Sequence, residues 1–261
     1  MKVDKRKQYF FICDTETTTK DTIADFAGII VDKKGNIYNQ IAVLVDGHYG
    51  KHELFHDVRS AEEIWTLKGL KRRNDIYKGM LNSGNRMLAS VNAVNKWIEL
   101  AQKTYKNLVF CAYNSRFDLG KMKKTGIHTV RDLNPELSYK ERKIELDRLE
   151  QSDVNVHGFH DYLCLMNAAQ NKVEGSRDYV QHCINRKWVT PKLNLRTNAE
   201  AMAEYAVGHE LPAEPHTALE DILYYELPIF EWLLKGTSYK KLNQSGNNWQ
   251  NFQLKNLVVP K

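Results

Sequence analysis

Three apolar segments near the amino terminus constrain the fold more than any other feature of the sequence. Residues 9–13 (YFFIC) are short, aromatic and apolar, as expected of a strand that is buried on both faces. Residues 23–31 and 37–45 flank the Gly-containing turn at residues 32–36, a pattern that predicts a β-hairpin. The chain is therefore predicted to begin with a three-stranded meander.

The next part of the chain alternates between helical and strand patterns. Apolar residues recur every three or four positions over residues 60–102, with a break at residues 79–84, which predicts two helices. Residues 108–112 (LVFCA) predict a fourth buried strand, and residues 159–169 predict a strand followed by a helix. This alternation predicts an α/β domain.

Two helices near the carboxyl end are predicted from their boundaries. Thr197 begins a capping box, and the helix that it opens is predicted to end at Gly208. Thr217 repeats the signal and opens a helix through Leu234. Pro228 is expected to kink this second helix, because proline cannot donate a hydrogen bond to the preceding turn.

Size and charge set the domain organisation and limit the partners. The chain has 261 residues, of which 42% are hydrophobic, enough for one sizeable domain rather than two. We predict a domain over residues 1–235, with a charged insertion at about residues 135–195, and a C-terminal extension over residues 236–261. Lys and Arg outnumber Asp and Glu 38 to 32, which is compatible with a polyanionic partner without requiring one.

The cysteines and the amino terminus bear on the cellular compartment. The four cysteines are widely spaced and three lie in apolar runs, which favours buried free thiols in a reducing cytosol over disulfides. The amino-terminal apolar run is short and is broken by Asp14, so we expect neither a signal peptide nor a membrane span. A cytoplasmic protein without a membrane partner is predicted.

The first candidate site lies where the first strand ends, at Asp14-Thr15-Glu16. Strand alternation directs residues 14 and 16 to the same side of the sheet, which brings two carboxylates together. Like charges repel unless a cation lies between them, and a hard divalent ion such as Mg²⁺ suits paired carboxylates. The segment is a candidate metal site, although an acidic strand end in a turn has the same pattern.

Two further segments carry acids at the beginnings of predicted helices. Asp118 follows the fourth strand, where the helix dipole favours an anion. Asp221 falls near the first turn of the helix that Thr217 opens, and His216 precedes that helix, so both can face one cleft. An imidazole with an unperturbed pKa of about 6.5 suits the transfer of a proton from water at neutral pH.

Taken in this order, the three segments resemble the exonuclease motifs of the DnaQ-like superfamily, in its DEDDh branch. The matching stretches are residues 14–17 (DTET), 112–122 (AYNSRFDLGKM) and 216–230 (HTALEDILYYELPIF), supported by the strand-to-helix step at residues 160–165 (HDYLCL). The resemblance covers about residues 9–234. It implies an α/β fold of ribonuclease H-like topology, with a mixed sheet of about five strands and helices packed on it.

The resemblance also implies a site with two divalent metal ions, Mg²⁺ or else Mn²⁺. One ion would be bound by Asp14, Glu16 and Asp221, and the second by Asp14, with Asp118 reaching it through water. His216 would act as the general base. The metals would offset charge on the attacking and leaving oxygens of the scissile phosphate.

The implied activity is a 3′→5′ exonuclease that releases nucleoside 5′-monophosphates from DNA with a free 3′ end. The backbone from Thr15 to Thr17, together with Asn114 and Phe117, would line the pocket for the terminal nucleotide. The long basic helical region and the insertion depart from the family's compact pattern and leave substrate preference open, so an RNA-trimming enzyme is the alternative. Association with a polymerase, or with another replication or repair protein, is also left open.

A zinc-protease pattern competes with this interpretation. Residues 52–56 (HELFH) fit H-E-x-x-H, in which two histidines one helical turn apart bind zinc. The preceding residues 46–50 (DGHYG) break structure where the protease needs a long helix, and no convincing third-ligand segment follows. These histidines are therefore interpreted as surface residues that follow a strand, with an incidental transition-metal site left open.

Two other features admit a non-catalytic interpretation. A nucleic-acid-binding module that kept the fold and lost the chemistry should lack at least one catalytic side chain, whereas all five are present. Basic and aromatic residues interleave over residues 68–78, which suits either the tracking of phosphates or the solvated face of a helix.

Overall fold

One mixed sheet forms the centre of the computed structural model, which describes residues 3–4, 6–57, 72–127, 159, 161–247 and 249–254. Within these residues the sheet has six strands in the order β4-β3-β2-β1-β5-β6. The strands are β1 (Tyr9–Thr17), β2 (Ile23–Asp32), β3 (Ile37–Val45), β4 (Met87–Ala89), β5 (Val109–Ala112) and β6 (Asp161–Cys164). Residues 135–158 of the predicted insertion, residues 60–71 of the predicted helical pattern and the end of the chain from residue 255 lie outside the described residues.

The pairing of the strands confirms the predicted α/β class. The first three strands form an antiparallel meander, β5 pairs parallel with β1, and β6 pairs parallel with β5. This arrangement is consistent with a ribonuclease H-like fold. One strand was missed, because residues 87–89 lie inside the segment predicted as helical and instead pair parallel with the edge of β3. Three residues are too few to show alternation, so only the neighbouring edge reveals this strand.

Helices cover both faces of the sheet. They are α1 (Arg73–Ser83), α2 (Val91–Thr104), α3 (Ser115–Thr125), α4 (Leu165–Val173), α5 (Arg177–Asn185), α6 (Ala199–Val207), α7 (Ala218–Asp221), a π-helical turn (Ile222–Glu226) and α8 (Leu227–Leu234). Short 3₁₀ turns follow at Tyr239–Lys241 and Trp249–Phe252. The segment from residue 161 to 185, part of the predicted insertion range, supplies β6, α4 and α5 to the core.

The alternation of β1 sorts the core into two layers. Phe10 and Ile12 pack with the carboxyl-terminal helices on one face, whereas Phe11 and Cys13 pack with α2 and α3 on the other. Burial of these side chains supplies the main driving force for closing the sheet between its helices. Because side chains alternate along a strand, the residues at the end of β1 are also divided between the two faces.

The carboxyl-terminal helices differ from their predicted boundaries. Asn198 rather than Thr197 caps α6, since its side chain accepts a hydrogen bond from the amide of Ala201. The helix after Thr217 is neither continuous nor simply kinked, because it contains the π-helical turn, in which the Leu227 amide donates to the Ile222 carbonyl. The missing hydrogen-bond donor of Pro228 affects only the turn before this residue. The proline therefore does not reveal the π-helical turn upstream.

The composition-based expectations are met in part. All four cysteines are buried and free, which confirms the prediction of unpaired thiols. Within the described ranges, every helix is too short or too polar to span a bilayer.

A buried charge network fixes the first turn of α7 to the sheet. Arg86 donates from Nε to Asp25 Oδ1 at 3.3 Å and from Nη2 to Glu220 Oε2 at 2.6 Å. The other oxygen of Asp25 accepts a hydrogen bond from the Ala218 backbone amide at 3.0 Å. The Thr217 hydroxyl, predicted to cap this helix, makes no capping hydrogen bond, so Asp25 on β2 takes that role.

Removal of the arginine is expected to destabilise the fold strongly. Arg86→Met leaves the Asp25 carboxylate buried without its cation, a change that typically costs about 3–5 kcal/mol. The free energy of unfolding, measured in urea, should fall by that amount, whereas the exposed Arg177→Met control should change it by less than about 0.5 kcal/mol. Equal effects of the two substitutions would show that the network does not stabilise the fold.

Candidate active site

The carboxyl end of β1 brings together the first two candidate acids. Asp14 and Glu16 share the parity of Phe10 and Ile12, so they extend beyond the core on the face covered by the carboxyl-terminal helices. Oxygen atoms of Asp14, Glu16 and Asp221 lie within 4.8 Å of one another. The sequence-predicted pair is therefore joined in space by an acid more than 200 positions later in the chain.

Asp118 reaches the same place from the other layer. It lies in the first turn of α3, which follows β5 and packs against the opposite face of the sheet. The hydroxyl of Thr15, which has the alternate parity on β1, donates to Asp118 Oδ1 at 2.8 Å. This hydrogen bond holds a buried carboxylate at the edge of the sheet, close to the end of β1.

Asp221 and His216 are positioned by the loop and short helix that precede the π-helical turn. Asp221 is the last residue of α7 and is buried, whereas His216 lies just outside the helix and is partly exposed. The backbone of His216 is in the left-handed region, with φ of 53°, a conformation that surrounding contacts must maintain. The Tyr77 hydroxyl donates to the His216 carbonyl at 3.4 Å and supplies one such contact.

His56 joins the site, although its sequence pattern predicted a surface residue. Its ring stacks on that of His216, with centroids 3.9 Å apart and 12° between the planes, and its Nε2 lies 3.6 Å from Glu16 Oε2. His216 Nδ1 lies 4.0 Å from the other Glu16 oxygen. One ligand atom each from Glu16, His56 and His216 lies within 4.8 Å of the other two, so these residues form a second group that could hold a metal ion.

The zinc-protease geometry is absent from this segment. His52 forms an isolated bridge with Tyr49, and within residues 51–57 the helical residues begin at 55, so the two histidines do not lie one turn apart on a helix. His52 belongs to none of the candidate ligand groups formed by the described residues.

The interleaved basic segment has one solvated and one buried side in the part that is described, with Arg72, Asp75 and Lys78 exposed. Arg73 and Tyr77 are buried in α1, while residues 68–71 lie outside the described residues. The positive charge of Arg73 opposes the rise in pKa that burial produces at Glu16 and Glu214. Arg73 is therefore part of the electrostatics of the site rather than a solvated contact for phosphates.

Two acids at the site were not predicted. Glu214 precedes His216 by two residues, and Glu226 ends the π-helical turn. Both line a pocket of about 280 Å³ together with Asp14, Asp118 and Asp221. Glu214 could have been found from its position beside the histidine motif, whereas Glu226 depends on a helix geometry that periodicity does not reveal.

The predicted nucleotide-binding residues fall into two groups. Asn114 and Phe117 line the pocket, and Phe117 is 43% exposed with Lys121 Nζ 4.6 Å from its ring centroid. The side chains of Thr15 and Thr17 are buried. Any contact of Thr15 or Thr17 with a nucleotide would therefore come from their backbone.

Burial and mutual repulsion both raise the pKa values of the carboxyl groups at the site. The pKa of Asp14 is raised well above its ordinary value by burial and then by the charges of Glu226 and Asp118. Burial, followed by neighbouring carboxylates, likewise raises the pKa values of Glu16 and Asp221 well above theirs. In the absence of a cation, protons neutralise part of this charge.

Two members of the cluster titrate close to neutrality. Burial raises the pKa of Asp118 to about 7, although the Thr15 hydroxyl acts in the opposite direction. Burial and then the charge of Glu200 raise the pKa of Glu214 to about 7. Proton occupancy of the site therefore changes across the physiological range.

The donor atoms fit a hard divalent ion. Asp14 Oδ2, Asp221 Oδ1 and Glu226 Oε2 are buried with no hydrogen-bond partner among the described residues. Buried oxygens of this kind normally have a partner, and an all-oxygen set suits Mg²⁺ or Mn²⁺. An ion held by Asp14, Glu16 and Asp221 would supply partners that the described part of the chain does not provide.

Comparison of the chain with protein-family models gave no match, and a search among curated proteins gave none either. The resemblance to the DnaQ-like superfamily therefore rests on the sequence motifs alone and stays a prediction.

Proposed function

We propose that this protein is a metal-dependent 3′→5′ exonuclease of the DEDDh type, acting on DNA. One observation carries the proposal: acids from three distant segments converge at one pocket beside His216, and buried oxygens of Asp14 and Asp221 have no hydrogen-bond partner among the described residues. Carboxylates brought together at such a desolvation cost are typical of a site that binds cations and stabilises charge during a reaction.

The site residues have different roles in the proposed reaction. Asp14, Glu16, Asp118 and Asp221 would hold two divalent ions, which offset charge on the attacking and leaving oxygens when bound. His216 accepts a proton from the attacking water. Stacking on His56 fixes the position of its ring, and the Tyr77 hydrogen bond to its carbonyl fixes its backbone. Positioning of the base in this way supports proton transfer within hydrogen-bond reach.

The shape of the pocket favours attack at the end of a strand. Its volume is near the lower end of the roughly 300–1,000 Å³ found for small-ligand sites, which suits one terminal nucleotide rather than a duplex. Phe117 stands exposed at its edge, where a base can stack on the ring. A cytoplasmic setting is supported by the four free thiols.

The bond that is cleaved can be identified from the product. A DNA oligonucleotide that carries a single radiolabelled phosphate in its last phosphodiester should release a labelled nucleoside 5′-monophosphate with Mg²⁺. A 3′-terminal phosphate should suppress this release. Label that stays on the shortened strand, or cleavage at internal positions, would overturn the proposed reaction.

Loss of the base should affect turnover more than metal binding. His216→Gln removes the group that accepts the proton and is expected to lower kcat by about 10²–10⁴-fold. Mn²⁺ binding, measured by calorimetry, should change little because the carboxylates remain. The exposed His209→Gln serves as the matched control and should retain full activity. A His216→Gln enzyme with normal kcat would remove histidine from the mechanism.

A further inference from the structure

The π-helical turn after Asp221 changes which side chains face the pocket. In an α-helix, residues five apart lie about 140° apart around the axis, because each residue turns about 100°. Here the Leu227 amide donates to the Ile222 carbonyl, five residues back. The wider turn brings residues five apart closer to the same side of the helix, and such turns are frequent at functional sites. Glu226 therefore faces the pocket together with Asp221.

One oxygen of the Glu226 carboxylate is fixed by a hydrogen bond, and the other is available to bind a ligand. The side chain is 3% exposed, and its Oε1 accepts a hydrogen bond from the Tyr113 backbone amide at 3.0 Å. Its Oε2 is buried without a hydrogen-bond partner among the described residues. The Tyr113 amide therefore fixes the carboxylate through one oxygen. A buried negative charge on the other oxygen is unfavourable unless a cation or a proton binds there.

Two acids of the proposed metal site share a pocket with Glu226. Asp14 and Asp118 line the same pocket, and both carry charges that act on Glu226 or receive its effect. The motif resemblance gives the second ion only one direct carboxylate, from Asp14, with Asp118 reaching it through water. A hard divalent ion takes further oxygen ligands readily, and Glu226 Oε2 supplies one at this side of the pocket.

We propose that Glu226 is an additional carboxylate ligand for the second divalent ion, held together with Asp14 and Asp118. This inference rests on the proposed function, since it concerns the same two-ion site. It assigns a role to the π-helical turn: the turn adds a ligand to the site from the helix that already carries Asp221.

The test is a calorimetric titration of the purified full-length protein with Mn²⁺. The wild type should bind two ions per chain. Glu226→Gln keeps an acceptor for the Tyr113 amide and replaces the free oxygen, so the weaker ion should lose at least the roughly 10- to 100-fold in affinity that outer-shell partners contribute. The tighter ion should be retained. Glu231→Gln, on α8, is the matched control and should bind both ions as the wild type does.

The outcomes separate this inference from the exonuclease proposal. If Glu226→Gln binds both ions as tightly as the wild type, Glu226 is not a ligand, and the nuclease site stands without it. If the wild type itself binds no Mn²⁺, both the inference and the proposed metal site fail. Glu226→Asp provides a second variant, which keeps the charge but withdraws the oxygen and should weaken the second ion to an intermediate degree.

Discussion

Asp14→Ala is expected to abolish cleavage, with a loss of about four orders of magnitude in kcat, or roughly 5–6 kcal/mol of barrier lowering. The reason is that Asp14 would contact both ions, so its removal affects the attacking and leaving sides together. The fold should remain intact, because the substitution also relieves repulsion among the buried carboxylates around it. Initial rates on a labelled oligonucleotide, with thermal unfolding as the check on folding, measure both effects.

The control for this variant is an aspartate of the same charge away from the site. Asp46→Ala removes an exposed carboxylate from the loop after β3 and should leave the rate within a factor of about two, as for most surface changes. Asp14→Ala with wild-type activity would remove the central residue from the proposed site. A variant that is inactive but also unfolded would instead assign Asp14 to stability.

The second large effect concerns the metal-free protein, whose stability is expected to fall as pH rises from 5 to 8. The pKa values of Asp118 and Glu214 are about 7 in the folded chain, above their ordinary values of 3.8 and 4.5. Groups with raised pKa values bind protons more tightly when folded, so their stabilisation is complete below about pH 4 and is lost as pH approaches 7. A loss on the order of 3 kcal/mol corresponds to roughly 6–12 °C in Tm.

Calorimetric unfolding in EDTA at several pH values measures this slope. Mg²⁺ at pH 8 should restore Tm, because a ligand that binds only the folded state stabilises it. Asp118→Asn removes one titrating group and should flatten the slope. A Tm in EDTA that rises between pH 5 and pH 8 would contradict the description of the site as an overcharged carboxylate cluster.

Much of the fold was predictable because its signals are local. The meander follows from apolar runs on either side of a Gly-containing turn, and the carboxylates of Asp14 and Glu16 share a side because strand alternation is fixed. The positions of Asp118 and Asp221 near helix starts could also be read from neighbouring residues. These predictions needed no knowledge of distant contacts.

The remaining features depend on tertiary contacts that sequence periodicity does not encode. Asp25, on β2, caps α7 in place of Thr217, the residue that was predicted to cap this helix. His56 stacks on His216 across 160 positions of sequence, so its own motif pointed elsewhere. Glu226 enters the pocket only because one turn of helix is π rather than α. In each instance the sequence gives the residue but not the distant residue or pocket that it contacts in the fold.

The most direct test of the central claim is a time course on 5′-labelled single-stranded DNA and RNA, each with and without a 3′-terminal block. We predict a Mg²⁺-dependent ladder that shortens from the free 3′ end, that is absent in EDTA and with Asp14→Ala, and whose rates rank DNA above RNA. Faster RNA trimming would keep the chemistry and reverse the substrate assignment. No cleavage of any strand by the folded, Mg²⁺-loaded protein would contradict the account.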